Sequence, residues 1–167
     1  MKARPLARAG VYAALYAALT LAPGLSSIAY GQVQFRLSEG LLAFACLDGP
    51  AVPGLAVGTA LANLGSPLGI VDVVGGSGLT LLAASLMWYI GAHQWALAAP
   101  VVVNGLGVAA ELRLVQHLPY WPSVGFVALG EATVMATAGL VLLWVARQHG
   151  AALGLEPRRA RDRVRQQ

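Results

Sequence analysis

Apolar residues come in blocks along this chain rather than alternating with polar ones. Residues 10–30 form the first block, residues 37–47 and 51–64 two short ones, and residues 69–91, 95–116 and 121–147 three long ones. The separators carry turn formers: Gly31-Gln32, Asp48-Gly49-Pro50, Gly65-Ser66-Pro67, Gly91 to Gln94, and His117-Leu118-Pro119. A membrane-spanning helix takes about 20 apolar residues, so the pattern predicts an all-α integral membrane protein with six transmembrane helices. The second and third blocks fall short of about 30 Å at about 1.5 Å per residue. They read as two short spans, one broken span or a re-entrant pair.

The first block also has the layout of a secretory signal, with a basic start, an apolar run from Val11 to Ala22 and small residues beyond. Small residues four apart favour its retention: Ala9, Ala13 and Ala17 form one strip, Ala14, Ala18 and Ala22 another. Such strips let a second helix approach closely in lipid, either inside the bundle or as a docking face for a partner. Gly54, Gly58 and Ala62 repeat the device in the third block, where internal packing is expected.

Composition agrees with the pattern. Hydrophobic residues make up 57% of the 167, charged residues 11%, and the mean hydropathy is +0.67. Soluble domains carry about a quarter charged residues. Six spans leave no room for a second, soluble domain. The single cysteine, Cys46, excludes an internal disulfide and any multi-cysteine metal site. His93, His117 and His149 show no metal-ligand spacing, so no metal is expected. The only lysine, Lys2, lies outside any phosphate-loop pattern, so no cofactor is expected and any ATP is used by a partner.

Charge is partitioned along the chain. Nine of the eleven basic residues are terminal: Lys2, Arg4, Arg8, Arg147, Arg158, Arg159, Arg161, Arg163 and Arg165. The two ends together carry +7 and residues 9–146 carry −3. Basic flanks stay on the cytoplasmic face, which predicts a cytoplasmic N-terminus over residues 1–9, a membrane domain over 10–147 and a basic cytoplasmic tail over 148–167. Anionic lipid headgroups account for the tail, and no nucleic-acid partner is expected.

This topology gathers the polar residues of the spans toward the outer half. Arg36, Glu39, Asn63 and Asp72 fall at that side, Glu111 and Arg113 near the outer end of the fifth span, and Asn104 and Glu131 deeper. Ionisable groups inside a bilayer cost a few kcal/mol each and line cavities or pair with one another. One arrangement pairs Arg36 with Glu39 and Arg113 with Glu111 as structural bridges. Even so, two arginines cannot balance four membrane-level carboxylates, which favours a cationic or donor-rich solute, guanine-type rings among them, or protonated acids. Gly75-Gly76-Ser77-Gly78 and Gly105-Leu106-Gly107 read as packing sites. Trp88, Tyr89, Trp95, Tyr120, Trp121 and Trp144 read as an interfacial belt, with Tyr120 and Trp121 also placed to cover a ligand. A small membrane hydrolase or transferase using Glu39, Asp72 or Glu131 is the enzyme alternative, but no Ser/His/Asp or His-rich signature accompanies them. An assembly protein without a ligand is a third reading.

Val33-Gln34-Phe35-Arg36-Leu37-Ser38-Glu39 resembles the QueT family of queuosine-precursor transporters, the substrate-binding (S) components of energy-coupling-factor (ECF) transporters. The likeness continues through Pro53-Gly54-Leu55, Gly58, Leu61-Ala62-Asn63, Asp72-Val73-Val74, Gly76-Ser77 and Thr80 to Ala84, and resumes at Asn104, Glu111 and Gly130-Glu131. Cys46-Leu47-Asp48-Gly49, Gly40 and the connection from Gly65 to Gly69 depart from the family pattern. The resemblance implies a six-helix S component in the bacterial cell membrane, both termini cytoplasmic, that binds a 7-deazaguanine such as preQ1 or preQ0. Its implied partners are a transmembrane T component and two ABC ATPase subunits. It implies substrate binding by Arg36, Glu39, Asn63, Asp72, Asn104, Glu111 and Glu131, with no catalytic residue. It also implies docking of Ala9, Ala13, Ala14, Ala17 and Ala18 on the T component. An S component for another vitamin or nucleobase is the near alternative.

Overall fold

The computed structural model describes residues 3–24, 29 and 35–155. Lys2, Gln34 and the tail arginines from Arg158 to Arg165 lie outside the described residues. Among the described residues there is no strand, and six helical stretches follow one another: α1 (Ala3–Leu21), α2 (Leu37–Cys46), α3 (Ala51–Gly65), α4 (Asp72–Ile90), α5 (Gln94–Gln116) and α6 (Tyr120–His149). The last three are long and apolar enough to cross a membrane.

The breaks follow local chemistry. Pro50 caps α3, where a missing N–H costs nothing. Gly91 ends α4 at φ 81°, a left-handed geometry that glycine adopts without penalty. His117 closes α5 at φ 56°, and Pro119 sits immediately before α6.

α2 is wound as a 3-10 helix over all ten of its residues, where such winding rarely exceeds one turn. At about 2.0 Å per residue it reaches about 20 Å, against about 15 Å for an α-helix of that length. It runs through the interior, with Ser38 to Ala43, Ala45 and Cys46 all buried. α4 and α6 each begin or break with a π-turn, at Asp72–Gly76 and Met135–Gly139.

α1 and α3 pack at the shortest range that backbone allows. A Cβ on Gly54 would lie 2.5 Å from the Ala9 carbonyl oxygen, and one on Gly58 would lie 2.8 Å from that of Ala13. The glycine strip of α3 thus packs internally, and the strip it receives is Ala9 and Ala13. Ala13 is buried, Ala9 and Ala17 are half-buried, and Ala14 and Ala18 are exposed on the other face of α1. Tyr16, Leu42, Leu55, Met87 and Leu143 form the centre of the core.

Both ends of the bundle are marked by polar contacts. At one, Arg8 bridges Asp48, a Cβ on Gly49 would lie 3.5 Å from the Trp88 ring, and Arg147 donates to the Ala92 carbonyl. The start of α1 and the end of α6 therefore share an end of the bundle. At the other, Arg36, Asn63 and Asp72 meet. α2 runs from the Arg36 end to the Asp48 end and α3 returns, so the two short segments are separate antiparallel helices rather than one broken span.

Candidate functional site

Arg36 precedes α2 and turns inward, with 6% of its surface exposed. Its Nη2 lies 3.3 Å from Asp72 Oδ2, and its Nε donates to the Ala29 carbonyl at 3.0 Å. Asp72 also accepts from Asn63 Nδ2 at 2.9 Å on Oδ1, and the same amide donates to the Asp72 carbonyl at 2.8 Å. Asp72 opens the π-turn of α4, and the Asn63 amide holds it there by main chain and side chain together.

The glycine run after Asp72 makes room for polar side chains. A Cβ on Gly76 would lie 2.4 Å from Asp72 Oδ1 and 2.7 Å from Asn63 Nδ2, and one on Gly75 would lie 2.3 Å from Glu111 Oε1. These two glycines are more than packing sites. They let three polar side chains crowd the backbone of α4.

Beside this cluster lies a small cavity lined by Arg36, Glu39, Gly76, Thr80, Asn104, Val108, Val127 and Glu131. Its volume is about 10 Å³, about the room of one water molecule, so a larger solute fits only as the walls move apart. Asn104 faces both the Glu39 and the Glu131 carboxylates. Glu39 Oε1 accepts a hydrogen bond from the Tyr16 hydroxyl.

Of the seven residues expected at the site, Arg36, Glu39, Asn104 and Glu131 line the cavity. Asp72 and Asn63 stand behind Arg36, and Glu111 faces Asp72 from α5. Of the two structural bridges considered from sequence, the one between Arg113 and Glu111 does not form, because Arg113 is exposed on the outside of α5 while Glu111 faces in. Arg36 reaches Asp72 across the bundle, and its charge also acts on Glu39 one turn deeper on α2. Tyr120 and Trp121 do not cover the cavity. The Tyr120 hydroxyl donates to the Leu106 carbonyl, and Trp121 is 74% exposed, as a belt residue would be.

Sequence reasoning missed Tyr16, Thr80, Gly76, Val108 and Val127. The signal for Tyr16 was present in the spacing of Arg8, Tyr12, Tyr16 and Thr20, a polar row on an otherwise apolar helix.

The chemical character of the site is an excess of acceptors. Buried atoms without a hydrogen-bond partner among the described residues are Glu39 Oε2, Asn63 Oδ1, both Glu111 oxygens and Glu131 Oε1. All are acceptors, and a buried acceptor without a donor costs about 1–3 kcal/mol. No group of three or more metal-ligating His, Cys, Asp or Glu residues exists among the described residues.

A helical membrane bundle enclosing an acceptor-rich polar chamber defines a solute-binding membrane protein. Comparison with known proteins agrees. The family model described as QueT transporter matches residues 6–148, and the chain belongs to that family. It is a transporter protein rather than an enzyme. It is similar to the protein named Queuosine precursor transporter QueT of Lactococcus lactis subsp. cremoris (strain MG1363), 30% identical over 134 residues that cover 72% of this chain and 79% of the relative. No solved structure matches the chain.

Proposed function

We infer that this chain is the membrane-embedded S subunit of an ECF-type importer and that its cargo is a 7-deazaguanine queuosine precursor. The observation that carries this reading is the set of buried, unpartnered acceptors around the chamber. A 7-deazaguanine ring offers N–H donors along its amidine edge, and a carboxylate accepts such paired donors. Glu39 and Glu131, which line the chamber and both face Asn104, are suited to that edge or to a ligand amine. Family membership and the named relative support the same cargo.

The chain contains no phosphate loop, so ATP acts through partner ATPases joined by a T component. The exposed Ala14 and Ala18 of α1 offer that T component a smooth helix face. The bundle end carrying Arg8, Asp48 and Arg147 is assigned to the cytoplasm by its basic residues, which puts the Arg36 end outward.

Calorimetric titration of the detergent-purified protein with preQ1, preQ0, guanine and an unrelated vitamin tests the cargo, with Glu39→Ala and Glu131→Ala beside it. Submicromolar binding of a deazaguanine, lost in folded variants, is expected. Binding of the vitamin alone, or of none of the four by well-folded protein, overturns the assignment.

A further inference from the structure

Four residues at a spacing of four form one row on α1: Arg8, Tyr12, Tyr16 and Thr20. All four bond to polar groups of α2 or the turn that follows it. Arg8 Nε and the Tyr12 hydroxyl donate to Asp48 Oδ2 at 3.1 and 2.9 Å, the Tyr16 hydroxyl donates to Glu39, and Thr20 Oγ1 lies 2.6 Å from Ser38 Oγ. The seam thus runs from one end of the bundle to the chamber.

Tyr16 occupies the decisive position in it. Its side chain is fully buried, as is nearly all of Glu39. The same hydroxyl faces Thr59 of α3, whose own hydroxyl donates to Thr80 of α4 at 3.1 Å. Glu39 and Thr80 both line the chamber. One phenol therefore stands behind two chamber walls, joined to one directly and to the other through Thr59.

We propose that Tyr16 is a substrate-positioning residue. Its hydroxyl occupies Glu39 Oε1 and leaves Oε2, which has no partner among the described residues, as the oxygen presented to cargo. Tyr16 does not touch the cargo. It fixes the rotamer of the carboxylate that does, and it ties that carboxylate to α1. The cargo arm of this inference rests on the proposed function; the geometric arm does not.

Tyr12 supplies the control, because it makes the same kind of bond on the same helix, to Asp48, away from the chamber. The experiment compares wild type, Tyr16→Phe and Tyr12→Phe in detergent by two readouts. The first is labelling by dicyclohexylcarbodiimide, which reacts with buried carboxyl groups, scored by mass spectrometry at Glu39 with Glu131 as internal reference. The second is the affinity for preQ1. Tyr16→Phe is expected to raise the Glu39-to-Glu131 labelling ratio several-fold and to weaken preQ1 binding by about tenfold, because the cargo must then immobilise a Glu39 side chain that is no longer held in one rotamer. Tyr12→Phe is expected to leave both readouts unchanged. A Tyr16→Phe variant with wild-type labelling and affinity, or a Tyr12→Phe variant that shifts both equally, overturns the proposal. If the wild type binds no deazaguanine, the cargo assignment fails and the labelling ratio alone decides.

Discussion

Arg36 and Asp72 meet across 36 residues of sequence, guanidinium Nη2 to carboxylate Oδ2 at 3.3 Å, and both are almost wholly buried. The pair ties the start of α2 to the π-turn of α4 and forms the back of the chamber. Removing one partner of a buried ion pair leaves an uncompensated charge and costs about 3–5 kcal/mol, whereas removing both is far milder. Arg36→Gln and Asp72→Asn should each lower the midpoint of unfolding in detergent sharply, and the double variant should recover part of the loss. A double variant as unstable as the sum of the two would show that the residues act separately.

Gly76 has no room for a methyl group, because its Cβ would fall 2.4 Å from Asp72 Oδ1. Gly76→Ala should displace the Asp72 carboxylate, break the Asn63 contact and weaken cargo binding by about tenfold or more, the equivalent of about 1.4 kcal/mol. Gly78, whose Cβ would meet nothing within 4 Å, is the matched control. Titration of both variants decides; equal affinities would contradict the cradle.

At the α1–α3 seam, Gly58→Val should force the helices apart. The added atoms would begin 2.8 Å from the Ala13 carbonyl oxygen and from Tyr16 Cβ. Overpacking of this kind costs about 1–3 kcal/mol. Thermal unfolding followed by circular dichroism measures it, and an unchanged midpoint would mean that the two helices separate without penalty.

Reporter fusions test the orientation. Fusions after Ala92 and after residue 150 should report the cytoplasm, and fusions within residues 66–68 and 117–119 should report the outside. Opposite signals from Ala92 and residue 150 would contradict the shared bundle end marked by Arg147 and the Ala92 carbonyl.

Much of the architecture was legible in hydropathy, since the blocks, their glycine and proline breaks and the small-residue strips all reflect local chemistry. The gathering of Arg36, Glu39, Asn104 and Glu131 was legible too, because ionisable groups within apolar blocks have few places to go. Their pairing was not. Arg36 and Glu39 are near neighbours in sequence, yet Arg36 reaches Asp72, a choice made by the placement of α4 against α2. The Ala9 and Ala13 strip was ambiguous for a similar reason: spacing shows that a face is smooth, but only the position of Gly54 and Gly58 shows what lies on it. The winding of α2 left no mark in a pattern that is buried on nearly every side.

That winding sets how far α2 reaches along its neighbour. The row on α1 from Thr20 to Arg8 covers twelve residues, about 18 Å at about 1.5 Å per residue. α2 is bonded to that row at Ser38 and Glu39, and again just beyond its end at Asp48. From Ser38 to Cys46 the 3-10 winding covers about 16 Å, where an α-helix would cover about 12 Å. The seam therefore acts as a gauge of length: an α-wound α2 would bring the Asp48 turn up short of Arg8 while Ser38 and Glu39 held their places beside Thr20 and Tyr16.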